Sequence, residues 1–309
     1  LNYKRSYMIF SKIKWKKKGL VITPNKSVPW MQTHAMLPTP YQMDGSLYRI
    51  YFSGRNEKNQ SNIGYALIDL DRPDYVIEYS DNAVLTPGRL GTFDDNGVLA
   101  SCLVQCESEL AMYTIGFKPG GTTRMDLFGG LATSADNGES FSRWSEAPII
   151  ERNRVNPFIN TAPWVLKEEL GYRMYYVSGT EWVSPDLPRY NIQTAVSDNG
   201  KDWFRDGTVA IDFLPGENAL ARPYVIKENN IYRMWFSSKG LHYLPQYAES
   251  KDGVNWIRYE NAVDIKPTPN SPDEEMICYP IVLKNKGKHV MFYNGNGYGE
   301  NGICVAVEQ

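Results

Sequence analysis

The chain repeats itself. Five aromatic-rich stretches recur along it: 48–54 (YRIYFSG), 110–116 (LAMYTIG), 172–179 (YRMYYVSG), 232–238 (YRMWFSS) and 289–295 (HVMFYNG). Their central residues are Ile50, Met112, Met174, Met234 and Met291, so successive centres lie 62, 62, 60 and 57 positions apart. Self-similarity at such a period constrains a fold strongly, because one unit cannot bury its apolar face alone and must stack on its neighbours. A second line follows each stretch and carries a small residue: Ala66, Ala132, Ala195, Ala248 and Ala306. A third is a turn in three of the units, at 134–141 (SADNGESF), 197–203 (SDNGKDW) and 250–256 (SKDGVNW). Asp-Asn-Gly and Asp-Gly are hairpin chemistry, since glycine accepts positive φ without steric penalty. A fourth line, extended and often carrying proline, precedes each aromatic stretch, at 34–40, 95–101, 158–163, 218–223 and 275–280.

Each unit therefore reads as four strands, and helix signals are almost absent. The expectation is an all-β fold, a five-bladed β-propeller with four-stranded antiparallel blades around a central funnel. A two-sheet sandwich is the alternative, and it leaves the common register of five units unexplained. Residues 1–11 are expected to form an N-terminal extension and residues 12–309 a single propeller domain.

Composition narrows the function classes. Hydrophobic residues make up 42% and charged residues 22%, the balance of a globular chain. A net charge of −2 argues against a broad basic surface for nucleic acid. The 21 Tyr and 8 Trp suit strands, and they also offer flat faces for sugar rings. Cys102, Cys106, Cys278 and Cys304 have no metal-knuckle spacing and are expected as free thiols. The segment from Met8 to Ile13 is too short and too charged for a secretory leader, and no apolar run is long enough to span a membrane. These readings point to a cytoplasmic protein with no membrane span and no nucleic-acid partner.

In a propeller the first strand of each unit lines the channel, so the proline line should be innermost. Aligned on Pro40, Ser101, Pro163, Pro223 and Pro280, the positions six upstream are His34, Asp95, Pro157, Glu217 and Glu274. Beside them lie Asp94, Asn96, Asn218, Asp273 and Glu275, and nearer the proline lie Asn160, Thr161, Arg222 and Tyr279. Solvated loop residues are the plain explanation. Against it, buried strand residues follow at once and five units deliver these groups to one level. Carboxylates crowded together raise one another's pKa, which lets a protonated acid and an ionised base coexist. Glycosidic cleavage needs such a pair.

Several stretches carry a resemblance: 48–55 (YRIYFSGR), 91–98 (GTFDDNGV), 216–223 (GENALARP), 273–280 (DEEMICYP) and 293–299 (YNGNGYG). They are similar to the five-bladed propellers of the glycoside hydrolase 43, 32 and 130 group, and more closely to a branch found in bacterial surface-polysaccharide gene clusters. The resemblance covers about residues 12–309. It implies a carbohydrate-active enzyme that cleaves or transfers a glycosidic or sugar-nucleotide bond in polysaccharide metabolism. A glycosidase, a phosphorylase and a glycosyltransferase all fit, and the substrate partner is a carbohydrate or sugar nucleotide. No cofactor is required, although related propellers sometimes hold a divalent cation in the channel. Hydrolases of the group usually place an Asp where this chain has His34 and another near Asn160.

The roles expected on this basis are specific. Glu217 is the general acid, and Asp95 or its neighbour Asp94 is the base or nucleophile. Glu275 is a third carboxylate that tunes pKa or holds a sugar hydroxyl. His34 donates to substrate or serves as a second acid–base group. Arg222 binds an anionic or hydroxyl-rich group, or forms a structural ion pair with Glu217 or Glu275. Asn160 and Tyr279 supply hydrogen bonds. Arg55 and the segment from Trp182 to Tyr190 form a substrate rim, where Trp182 either stacks on a sugar or simply packs. The alternative to an enzyme is a non-catalytic carbohydrate-binding propeller, favoured by the replaced acids at His34 and Asn160.

Overall fold

The computed structural model describes residues 12–309, so the expected extension at 1–11 lies outside the described residues. The fold is all-β, with one 3-10 turn at Asn296–Tyr298 among the described residues. Strand β1 (Ile13–Ile22) comes first and is followed by antiparallel groups. The first group is β2 (Thr33–Asp44), β3 (Leu47–Arg55), β4 (Ser61–Asp69) and β5 (Val76–Tyr79). The second is β6 (Val98–Gln105), β7 (Leu110–Pro119), β8 (Met125–Ser134) and β9 (Ser142–Arg143). The third is β10 (Asn160–Glu168), β11 (Gly171–Ser184), β12 (Leu187–Ser197) and β13 (Val209–Ile211). The fourth is β14 (Ala219–Glu228), β15 (Ile231–Lys239), β16 (Tyr243–Ser250) and β17 (Trp256–Arg258). After the short β18 (Val263–Asp264) come β19 (Cys278–Asn285), β20 (Lys288–Asn294) and β21 (Ile303–Glu308). The outer place beside β21 is taken by β1, which runs antiparallel from Trp15↔Glu308 to Ile22↔Ile303. The repeat pattern did not reveal this outer strand, because β1 carries none of the repeat's residues.

The aromatic stretches are the second strands, as their composition demands. Ile50, Met112, Met174, Met234 and Met291 are all essentially inaccessible and pair across the sheet with Ala66, Ala132, Ala195, Ala248 and Ala306. A small residue opposite a long one lets neighbouring sheets approach. Burying each long side chain contributes about 1.5–3 kcal/mol.

Neighbouring groups are tied by one repeated contact. The start of an inner strand touches the third strand of the group before it, at Ser61↔Gly97, Asn160↔Phe128 and Tyr190↔Ala219. The Ile277 amide donates to the Tyr243 carbonyl at 3.1 Å, and the Ala35 amide to the Gly299 carbonyl at 2.9 Å. The Asp-Gly turns add a second tie. The hydroxyls of Tyr51, Tyr113 and Tyr175 donate to the carbonyls of Gly138, Gly200 and Gly253, at 2.8, 2.9 and 2.9 Å. Each turn is held from within by a serine: the Ser134, Ser197 and Ser250 hydroxyls accept from the amides of the same three glycines. The three Asp-Gly turns therefore have a structural role, holding neighbouring groups together.

The proline line forms the first strand of each four-stranded group, as expected. Each inner strand carries a register shift, and the prolines sit in these β-bulges rather than along a free edge. The register also corrects the alignment. Pro40 pairs with Ile50 just as Val165 pairs with Met174 and Val225 with Met234. The first-unit counterpart of Pro163 and Pro223 is therefore Pro38, not Pro40. Six positions upstream of it lies Gln32, so His34 does not share the level of Asp95 and Glu217.

Candidate functional site

Each X-Pro bulge bends the inner strand and re-aims one side chain. Leu37, Ala162, Arg222 and Tyr279, the residues just before Pro38, Pro163, Pro223 and Pro280, have φ of 58°, 49°, 54° and 57°. Non-glycine residues rarely hold positive φ, and strain of this kind persists where the surroundings enforce it, often at functional sites. All four line one cavity of 210 Å³. That is smaller than the roughly 300–1,000 Å³ typical of sites for drug-sized ligands.

Much of the cavity wall is apolar, from Met36, Leu99, Ile115, Leu127 and Val177. One side is built of tyrosines. Tyr279 and Tyr298 are stacked, with centroids 6.4 Å apart and planes at 21°. Tyr243 meets both rings, at 6.0 and 6.1 Å, and its hydroxyl is hydrogen-bonded to that of Tyr190. The polar contributors are Thr161 and three guanidinium groups, from Arg55, Arg124 and Arg222.

Arg222 crosses the hub. Its Nη1 donates to the Ser101 carbonyl and, at 3.0 Å, to the Ser101 hydroxyl. Its Nη2 donates to the Pro38 carbonyl at 3.0 Å and to Thr39 Oγ1 at 2.7 Å. Ser101 and Pro38 occupy the same bulge position in their own strands, so this side chain joins three units. It is 1% exposed, and its Nε has no hydrogen-bond partner. Burial lowers its pKa to about 10, which leaves it charged at neutral pH. The expected ion pair with Glu217 or Glu275 is absent; every bonded partner of Arg222 is a neutral oxygen.

Of the residues expected from sequence, Arg55, Thr161, Tyr190, Arg222 and Tyr279 line the cavity. The others lie elsewhere. Glu217 is gripped by Arg258, with Nη2–Oε1 at 2.6 Å and Nη1–Oε2 at 2.8 Å. It also accepts from the Leu214 amide at 2.7 Å and from the Ser238 hydroxyl. Burial alone would raise its pKa, but the bonds from Arg258, Leu214 and Ser238 outweigh it and hold the carboxyl below its ordinary value. Asp94 is 1% exposed and paired with Arg143 at 2.7 Å. Asp95 accepts from the Gly91 amide at 2.8 Å and faces the Lys118 ammonium at 3.6 Å. Glu275 is exposed, with its backbone amide bonded to Asn296.

Asn160 is fully buried and spent on the chain itself, donating to the carbonyls of Glu151, Asn156 and Phe158 and accepting from Ser178. His34 has φ of 61° and bonds Thr33 at 3.1 Å. Burial, with the nearby positive charge of Arg55, lowers its pKa to about 4 despite the opposing charge of Glu300. Trp182 is half-buried on the β11–β12 hairpin and pairs with Pro188. The tip of that hairpin reaches the cavity rim, where the Pro185 carbonyl accepts the Arg124 amide at 2.9 Å.

Sequence reasoning missed Arg124, Tyr243 and Tyr298, while Tyr190, the last residue of the expected rim segment, does line the cavity. The signal that points to Tyr190 also points to one of the missed residues. Tyr190 and Tyr243 each stand five positions before the repeated alanine of the third strand, at Ala195 and Ala248. Among the described residues no group of three His, Cys, Asp or Glu gathers to hold a metal ion. No described helix is long and apolar enough to cross a membrane.

This strand pattern is an all-β fold shared with solved propeller proteins. A solved glycoside hydrolase superposes with a TM-score of 0.75 at 19% identity, covering 100% of this chain and 96% of that one. A protein of the GH130 family of mannoside phosphorylases, which contains glycoside hydrolases, gives 0.71 at 15%, covering 97% and 95%. A thermostable family-43 glycoside hydrolase gives 0.65 at 15%, covering 92% and 91%. At the level of sequence the chain belongs to the family of the uncharacterized protein Rv1502 of Mycobacterium tuberculosis H37Rv, with 35% identity over 296 residues, 95% of this chain and 98% of that protein. The uncharacterized protein MT1551 of the CDC 1551 strain is 34% identical over the same share. No family model matches the chain.

Proposed function

We propose that the chain closes as a single five-bladed propeller domain and is a carbohydrate-active enzyme that cleaves or transfers a glycosidic or sugar-nucleotide bond in surface-polysaccharide metabolism. The observation that carries this reading is the convergence of four strained X-Pro bulges on one cavity walled by tyrosines and guanidinium groups. Sugar rings present C–H faces to aromatic side chains and hydroxyl oxygens to N–H donors, and this wall offers both. Likeness to solved glycoside hydrolases supports it at the level of fold. Closure is supported by the tie between Ala35 and Gly299, which joins the first group to the last, and by β1 in the outer place beside β21.

Within this proposal the acid–base groups are Asp95, Glu275 and His34, none of which is clamped by an arginine. Glu217 and Asp94 each answer to an arginine and take positioning roles. Glu217, held below its ordinary pKa, is a poor proton donor near neutrality. Non-catalytic carbohydrate binding is the second reading, favoured by one specific observation: no Asp or Glu lines the cavity. A panel of aryl glycosides and sugar nucleotides, assayed with wild type and with Asp95→Asn, Glu275→Gln and Glu217→Gln, separates the two. Turnover abolished by Asp95→Asn or Glu275→Gln supports the enzyme. Saturable binding with no turnover on any donor supports the second reading.

A further inference from the structure

We propose that the cavity recognises an anionic oxygen group on its ligand, a carboxylate or a phosphate, through Arg55, Arg124 and Arg222. The inference deepens the carbohydrate reading and rests on it for the rest of the ligand.

The argument begins with a contrast. Eight arginines elsewhere, Arg49, Arg89, Arg143, Arg152, Arg173, Arg189, Arg233 and Arg258, each have a carboxylate within ion-pair distance. The three that line the cavity have none within that distance among the described residues; Arg72, Arg154 and Arg205, away from the cavity, also have none, so what sets the cavity apart is that three such arginines share one wall. Arg55 bonds only neutral atoms, Asn59 Oδ1 at 3.1 Å and Met36 Sδ at 3.9 Å, with the Glu300 charge nearby but beyond ion-pair distance. Arg222 is buried with all its partners neutral. A buried charge without a counter-charge is costly, so such an arrangement persists where something else balances it.

Two further atoms point the same way. Arg222 Nε and Thr161 Oγ1 are buried and unpartnered, and both residues line the cavity. Buried donors without acceptors are rare and call for an explanation. An anionic oxygen bound beside Arg222 would neutralise the guanidinium and give the Nε–H and the Thr161 hydroxyl an acceptor. Arg55 and Arg124, also on the wall, would supply charge-assisted bonds, which are shorter and stronger than neutral ones. Arginine's planar fork suits both carboxylate and phosphate.

Calorimetric titration of the full chain at low ionic strength tests this with four probes: glucuronic acid, glucose, glucose 1-phosphate and inorganic phosphate. The expected result is that at least one anionic probe binds about tenfold or more tighter than glucose. Arg124→Gln and Arg55→Gln should each weaken that binding about tenfold, and added salt should weaken it too. Glucuronic acid binding best assigns the anion to a sugar carboxylate; glucose 1-phosphate or phosphate binding best assigns it to a phosphate. Glucose binding as tightly as the charged sugars, unchanged by both variants, overturns the anion site and leaves the carbohydrate reading standing. Phosphate binding alone, lost in the variants, supports the anion site and removes the carbohydrate reading. Binding of none of the four overturns the proposal. Arg124 is exposed at the rim, so its variant remains informative if substitution of the buried Arg222 prevents folding.

Discussion

Arg258 holds both carboxylate oxygens of Glu217, at 2.6 and 2.8 Å, from a strand 41 positions further along the chain. The pair is mostly shielded, with side chains 13% and 12% exposed. Glu217→Gln should therefore cost about 1–3 kcal/mol of stability, the range for a charge-assisted hydrogen bond. The sign with pH follows from the direction of the shift. A carboxyl whose folded pKa lies below its unfolded value stabilises above the unfolded pKa and loses that contribution as pH falls through the folded one. Urea denaturation should show the widest gap between wild type and variant at pH 7, shrinking on acidification. A gap that stays constant down to pH 3 would mean the ion pair contributes nothing.

The Tyr51 hydroxyl ties one unit to the next through the Gly138 carbonyl at 2.8 Å. Gly138 has φ of +86°, and a Cβ built there would lie 2.2 Å from the same hydroxyl. Tyr51→Phe removes one hydrogen bond and should cost about 1 kcal/mol. Gly138→Ala meets both the strained φ and the clash, and should cost more, about 2 kcal/mol or above. In the double variant the phenylalanine has vacated the space, so the combined loss should fall short of the sum. Thermal melts of the four proteins check this, and strict additivity would show that the two residues do not meet.

The fold was legible because its signals are local. The Met–Ala pairs, the Asp-Gly turns and the proline line each lie within one short stretch. The pairings of Glu217 with Arg258 and Asp94 with Arg143 were not legible, since partners 41 and 49 positions apart meet only through the propeller's geometry. An exposed catalytic acid and a clamped structural one look alike in sequence. The slip from Pro38 to Pro40 has a similar cause: PTP offers two prolines, and only cross-strand register shows which occupies the bulge. Arg222 was found, but its reach across the hub to Ser101 and Pro38 depends on a positive φ that no periodicity reports.

His34 should titrate near pH 4 rather than near 6.5, because burial and the Arg55 charge oppose its protonation. Here the folded pKa is depressed, so the unfolded chain binds the proton more readily between those values. Stability should fall as pH drops from about 6.5 toward 4, and His34→Gln should remove that part of the slope. Partial exposure screens the effect, so the loss should stay within about 1–2 kcal/mol. An imidazole titration followed by NMR reads the group directly. A midpoint at 6 or above would contradict the placement of His34 beside Arg55.

Strand β1 does more than complete a sheet, because it carries Lys17 to a buried carboxylate. Lys17 Nζ lies 2.6 Å from Asp273 Oδ2, and the Asp273 side chain is 4% exposed. Burial would raise the Asp273 pKa, but the bonds from Lys17, Ser271 and Tyr293 bring it below its ordinary value. Lys17→Met would leave the carboxylate with the hydroxyls of Ser271 and Tyr293 alone and should cost about 3 kcal/mol, the low end for breaking a buried pair. Adding Asp273→Asn removes the stranded charge and should recover most of that loss, which a merely weakened strand would not permit. Lys17→Met alone should also regain stability relative to wild type as pH falls, since a protonated Asp273 no longer needs the ammonium. Denaturation curves for the two single variants and the double variant decide the matter: a Lys17→Met protein within about 0.5 kcal/mol of wild type would show that β1 is not what secures this sheet.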